Sequence, residues 1–193
     1  MQKTILSILL GLLVGESALA GAFEGHVVIR DSVAHLVMNS APTELWRIEG
    51  LSEQVTSQVK GLQEGDLLSA TGELHLANKT AYVETVDFVG LKRILGHWES
   101  KDGYRIFFKD FRSAIVEQKQ PLPWNPDEEK TVNLVYAILP LKESNWSLFM
   151  SNRKTVRVGT LTVNETNLSI QLVDQRTGKI TEDISLSPSG VLP

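Results

Sequence analysis

Four histidines, no cysteine and 23 carboxylates bound the chemistry that this 193-residue sequence can support. His26, His35 and His75 fall on three separate β-rich stretches, and His97 opens a later one. Three imidazoles could hold zinc, but zinc motifs pair their ligands closely, as in His-Glu-x-x-His, and no such pairing occurs here. The acidic run Asp127-Glu128-Glu129 lacks the alternating ligands and glycine of a calcium loop and reads as a solvated turn. Nucleophilic catalysis would need a cysteine, a Gly-x-Ser-x-Gly elbow or a Ser-x-x-Lys run with its companion motifs, and the sequence has none of these. A triad assembled from distant residues is recognised only in space. The expectation is a protein without metal, cofactor or catalytic machinery.

Two positions invite a ligand. Glu182 shares its alternation phase with Ile180, Ile184 and Leu186. Strict alternation would bury it, and a buried unpaired carboxylate is a mark of a functional site. One bulge would instead turn Glu182 outward, and that is the arrangement expected here. The segment Gln118 to Lys130 contains Pro121, Pro123, Trp124 and Pro126. Long loops between strands are often functional, and proline limits this one's freedom. Trp124 is therefore a candidate recognition residue, or a strap packed over a barrel end.

These residues need elements to hold them, and the pattern is almost entirely β. Glu24 to Asp31 and Ala34 to Asn39 are β-rich runs parted by Asp31-Ser32. Glu44 to Glu49 alternates, with Trp46 and Ile48 on one face. Ser52 is a plausible N-cap, and Val55, Val59 and Leu62 recur at helical spacing, predicting a short helix over 52–60 closed by Gly61. Strands then follow at Leu67 to Leu76 and Ala81 to Val89. Eight further strands are predicted at 97–100, 104–110, 113–119, 131–140, 146–151, 155–163, 167–174 and 179–186. The apolar phase switches between Val158 and Leu161, which predicts a bulge near Gly159. Ser187 to Pro193 reads as a loose tail.

Strand, strand, strand, helix, strand, strand, with Leu62 to Gly72 leading into the fourth strand through Gly65-Asp66, resembles an OB-fold over residues 23–91. The eight sequential strands that follow suggest an up-and-down antiparallel barrel or half-barrel. Their opening Gly96-His97-Trp98 resembles the Gly-x-Trp start of lipocalin-like barrels over 96–187, which implies that Trp98 plugs one end. Tyr104 joins Trp98 as a candidate interior residue lining a ligand or filling its place. The expected organisation is an all-β chain with a signal peptide at 1–20, an OB-like domain at 21–91, a linker at 92–95, a lipocalin-like domain at 96–187 and a tail at 188–193.

The first twenty residues carry the address. Met1-Gln2-Lys3 gives a positive start, Ile5 to Val14 is nearly all apolar, and Ala18-Leu19-Ala20 offers small residues where signal peptidase cuts. That run is short for a membrane span, and no later segment is long enough to make one. Periplasmic or secreted location follows as the expectation. Absence of cysteine in an exported chain points to a bacterial product stabilised by its core alone. Residues 21–91 hold four basic and ten acidic side chains, a net of −6, whereas 92–193 hold fourteen and twelve, a net of +2. Nucleic acid needs a cationic groove with stacking aromatics, and an acidic first half whose aromatics are Phe23, Trp46, Tyr82 and Phe88 offers neither. Asn78, Asn145, Asn164 and Asn167 begin Asn-x-Ser/Thr triplets and read as turn residues.

The functional expectation is therefore an exported, non-enzymatic binding or envelope-interaction protein. Its ligand would be a small apolar molecule, a glycan or an envelope protein, held by Trp98, Tyr104, Trp124 or Glu182. Two alternatives are a hydrolase of envelope polymers and a purely structural scaffold.

Overall fold

A computed structural model describes residues 18–118, 131–142, 145–164 and 166–189. The chain forms β1 (Ala18–Arg30), β2 (Val33–Met38), β3 (Trp46–Gly50), α1 (Glu53–Lys60), β4 (Leu67–His75) and β5 (Thr80–Gly90). A 3-10 turn at Lys92–Ile94 leads into β6 (Gly96–Glu99), β7 (Tyr104–Phe108), β8 (Ser113–Gln118) and β9 (Thr131–Lys142). The last strands are β10 (Asn145–Ser151), β11 (Val156–Val163), β12 (Leu168–Val173) and β13 (Ile180–Pro188). The protein is all-β with one short helix.

Local chemistry explains the first unit's corners. Asp31 and Ser32 both have positive φ, 50° and 64°, so β1 and β2 join through a two-residue turn of the kind that matches strand twist. Ser52 Oγ accepts from Val55 N at 3.2 Å and caps α1, whose buried Val55 and Val59 lie one turn apart. Gly65, at φ 82°, turns the chain into β4. β1 pairs antiparallel with β2 and β4, β4 with β5, and β3 lies antiparallel to β2 and parallel to β5. The β4–β5 register shifts between Thr71 and Gly72, at the strand glycine where the sequence calls for a bend.

Strands β6 to β13 form a closed eight-stranded antiparallel barrel in which each strand pairs with its sequence neighbours and β13 returns to β6. An eight-stranded ring is just wide enough for side chains to fill. Phe108, Trp146, Leu148, Leu161 and Ile170 are almost wholly buried inside this one, with Trp98 and Tyr136. The two units share a sheet through one register pair, Val89 with Ile138.

Two expectations need correcting. The β10–β11 and β11–β12 registers run unbroken through Gly159, so there is no bulge there. Gly159 stays in phase with buried Leu161 and Val163, while Val158 lies on the outer face. A bulge does interrupt β13, where Leu172 pairs Glu182 but Val173 pairs Ile180. The extra residue is Thr181, so Ile180 turns outward, 57% exposed, and Glu182 keeps the inward phase of Ile184 and Leu186. The C-terminal strand also runs further than the alternation suggests, to Pro188, and Ser189 N donates to His97 O at 2.8 Å.

Candidate functional site

The residues singled out from the sequence do not converge. Trp98 is buried on β6, and its Nε1 donates to Ile94 O at 2.8 Å, tying β6 to the 3-10 turn before it. Tyr104 is partly buried against the same core, its backbone N donating to Ser100 Oγ at 3.0 Å. Glu182 lies six residues along β13 from Pro188, the register partner of Trp98, which is about 20 Å of strand. Trp124 and the Asp127-Glu128-Glu129 run lie outside the described residues. Among the histidines, His75 contacts Glu73 and Tyr82, His97 stacks on Phe107, and His35 Nδ1 lies 3.1 Å from Val33 O. Among the described residues, no three histidine or acidic side chains gather at one point.

Glu182 is half-buried, and that burial pushes its carboxyl above the ordinary value against the counter-pull of Arg157. Arg157 shares the barrel's inner face, and its Nε is buried with no hydrogen-bond partner among the described residues. A carboxyl whose folded pKa is raised makes its favourable contribution below the unfolded value and loses it as pH rises through the folded one. Glu182→Gln should therefore melt about 1–2 °C above wild type at pH 7.5, and the gain should vanish below pH 4. Thermal unfolding followed by circular dichroism at the two pH values checks this.

A second polar cluster sits where the units meet. Asp66 is fully buried and accepts from Gln63 N and Lys92 N, each at 2.9 Å. Burial raises its carboxyl, while those two N–H groups and the charges of Arg93 and Lys92 hold it down. Arg93 lies 5.5 Å over the Trp146 ring, and its Nε and Nη2, like Trp146 Nε1, are buried with no hydrogen-bond partner among the described residues. This cluster fixes the connector.

A concave feature lies in the first unit. β2 and β3 make only two register pairs, His35 with Arg47 and Leu36 with Trp46. The next pair in that register, Ala34 opposite Ile48, is not formed, because the β1–β2 hairpin swings away. A cavity of about 910 Å³ opens there, within the range of small-ligand sites. Its floor is Ile48, Val59 and Leu62, and its roof is Ile29 and Ala34 from the hairpin tip. Uncovering is progressive along the inner face: Val27 is 0% exposed and Ile29, two residues on, 36%.

The groove's rim is charged but largely committed. Arg47 Nε and Glu49 Oε1 lie 3.0 Å apart. Glu64 Oε2 accepts from Ile29 N at 2.6 Å and caps β1 where that strand has left β4. Gly50 passes so close to Thr56 that a Cβ there would sit 2.4 Å from the Thr56 nitrogen, which sets α1 tight against β3. Set against protein-family models, curated proteins and solved structures, the chain matches none. The groove must therefore be read from its own geometry.

Sequence reasoning singled out none of these lining residues. Ile29 and Ala34 carry the inward phase of their strands, and Val59 and Leu62 the apolar face of α1, so each alone reads as core. Strand length gave no signal either: in the β2–β3 register Ile48, Glu49 and Gly50 reach Ala34, Val33 and Ser32 at the hairpin tip, yet the ladder stops before them.

Proposed function

We propose that this protein is an exported, non-catalytic binding module whose ligand seats in the groove beneath the β1–β2 hairpin. The observation that carries the reading is a cavity of about 910 Å³ at the hairpin tip, where the partly exposed Ile29 and Ala34 stand over the buried Ile48 and Val59. The acidic groups there already serve Arg47 and the Ile29 amide, which favours binding over acid–base chemistry. Strand pairing β1–β2–β3–β5–β4–β1 supports reading the first unit as OB-like, and the Gly96-His97-Trp98 start after a 3-10 turn supports a lipocalin-like second unit. On this reading the second barrel, filled by its own side chains, is the support, and the first is the receptor.

Export rests on residues 1–20. Ala18 to Ala20 extend β1 but are exposed, and the first buried residue of that strand is Phe23. Cleavage after Ala20 would remove three rungs to β4 and no core. Native mass spectrometry of protein purified from periplasm tests both parts. The expected species begins at Gly21 and carries a bound mass that Ala34→Trp, which fills the groove, abolishes. Retention of that mass by Ala34→Trp, or a bare wild-type protein, would overturn the groove assignment.

A further inference from the structure

Resting on that reading, we infer that the groove's ligand is an extended peptide segment of a partner protein, taken up by strand addition in the gap between β2 and β3. Arg47 N donates to Lys79 O on the β5 side, so the neighbouring Ile48 turns its N–H and C=O toward β2. On the hairpin, Val27 is bonded to Gly65 and Asp66 on the β4 side, so Val28 and Arg30 face β2 and pair there with His35 and Val33. Ala34 therefore turns its N–H and C=O toward β3. Two strand edges face each other across a gap in which their own ladder has stopped. A purely apolar ligand covers Ile48, Val59 and Leu62 but leaves those edges unbonded, whereas a peptide backbone supplies a donor and an acceptor at every second residue.

The gap sets the length and the alternation. The unpaired groups on the facing edges are those of Ala34 and Ile48, because Ser32 already lies in the turn at φ 64° and Gly50 O accepts from Thr56 Oγ1 at 3.1 Å, so a peptide meets one residue of open backbone on each side. β2 and β3 are antiparallel, so an inserted strand lies antiparallel to one and parallel to the other. Alternate peptide side chains then point onto Val59 and Leu62 or out past Arg47 and Glu49. The groove's lining is balanced in charge, Arg47 and Lys60 against Glu49 and Glu64, so recognition falls to the backbone edges and the apolar floor.

The test uses the full mature chain and a displayed library of random dodecapeptides, with the strongest binder resynthesised and each backbone nitrogen methylated in turn. The expected result is an enriched apolar core whose affinity falls tenfold or more on N-methylation at every second core position and little between them. Ala34→Pro removes the groove-facing N–H without costing a β1–β2 bond, and should weaken the parent peptide about tenfold while the thermal midpoint stays within a few degrees. A flat methylation profile with full sensitivity to Ala34→Trp would overturn strand addition and leave the groove as a site for apolar groups. Affinity unchanged by Ala34→Trp would overturn the groove itself. A library with no enriched sequence on the wild-type chain would also overturn the inference.

Discussion

Asp66→Ala should lower the unfolding free energy by about 3–4 kcal/mol, one of the two largest effects expected of a single substitution in this molecule. The carboxylate is the acceptor for two backbone N–H groups, of Gln63 before β4 and of Lys92 in the connector, and it is wholly buried. Alanine leaves both part-buried donors without an acceptor, each worth about 1–3 kcal/mol. It also strips Arg93 of the nearest compensating charge, although burial already presses that guanidinium toward its neutral form. Two companions separate these terms. Asp66→Asn keeps one acceptor and should cost about half as much. Arg93→Met in the Asp66→Ala background should cost less than the sum of the two single changes, because the charge left stranded is then gone. Urea denaturation read by tryptophan fluorescence measures all four proteins. Near-additivity would show that Asp66 acts through the backbone alone.

Gly159→Ala is the second. A Cβ at this position would lie 2.2 Å from the carbonyl oxygen of Gln171 on β12. The obstruction is backbone, so no rotamer relieves it, and β11 must move away from β12 in the middle of an otherwise regular ladder. The expected cost is about 3 kcal/mol or more, with faster amide exchange on both strands. Ser147→Ala, one strand away and partly exposed, should change stability by less than about 0.5 kcal/mol and serves as the control.

Gly159 also shows where the sequence was legible and where it was not. Strands and helix were readable because their causes are local: Trp46 and Ile48 alternate inward against Arg47, and Ser52 caps a helix with Val55 and Val59 on one face. The sequential antiparallel barrel followed from eight short runs and the turns between them. At Gly159, a valine on the outer face imitated the phase switch of a bulge, although the glycine is there because β12 comes too close for any side chain. At Glu182, alternation announces that a residue must be accommodated but not on which side of the carboxylate, and the chain inserts Thr181. The groove was illegible for a deeper reason. It exists where a ladder ends, and the point at which β2 leaves β3 depends on the β1–β2 hairpin, α1 and β5 together. Each lining residue obeys its own local rule.

The return of β13 to β6 has a kinetic meaning. Every other ladder of the eight-stranded barrel carries four to seven register pairs between strands adjacent in sequence, whereas this one carries two, Ser187 with Glu99 and Pro188 with Trp98. One of the two is a proline, which has no amide to donate. It is also the only ladder of that ring that must close a loop spanning nearly the whole second unit, so it forms last and opens first. A chain emerging N-terminus first would complete every hairpin from β6 to β13 before this stave could be set. Until Ser187 and Pro188 are set against β6, the barrel is an open ribbon with two bare edges, and its exposure to proteases and to its own copies is governed by how quickly that short seam shuts.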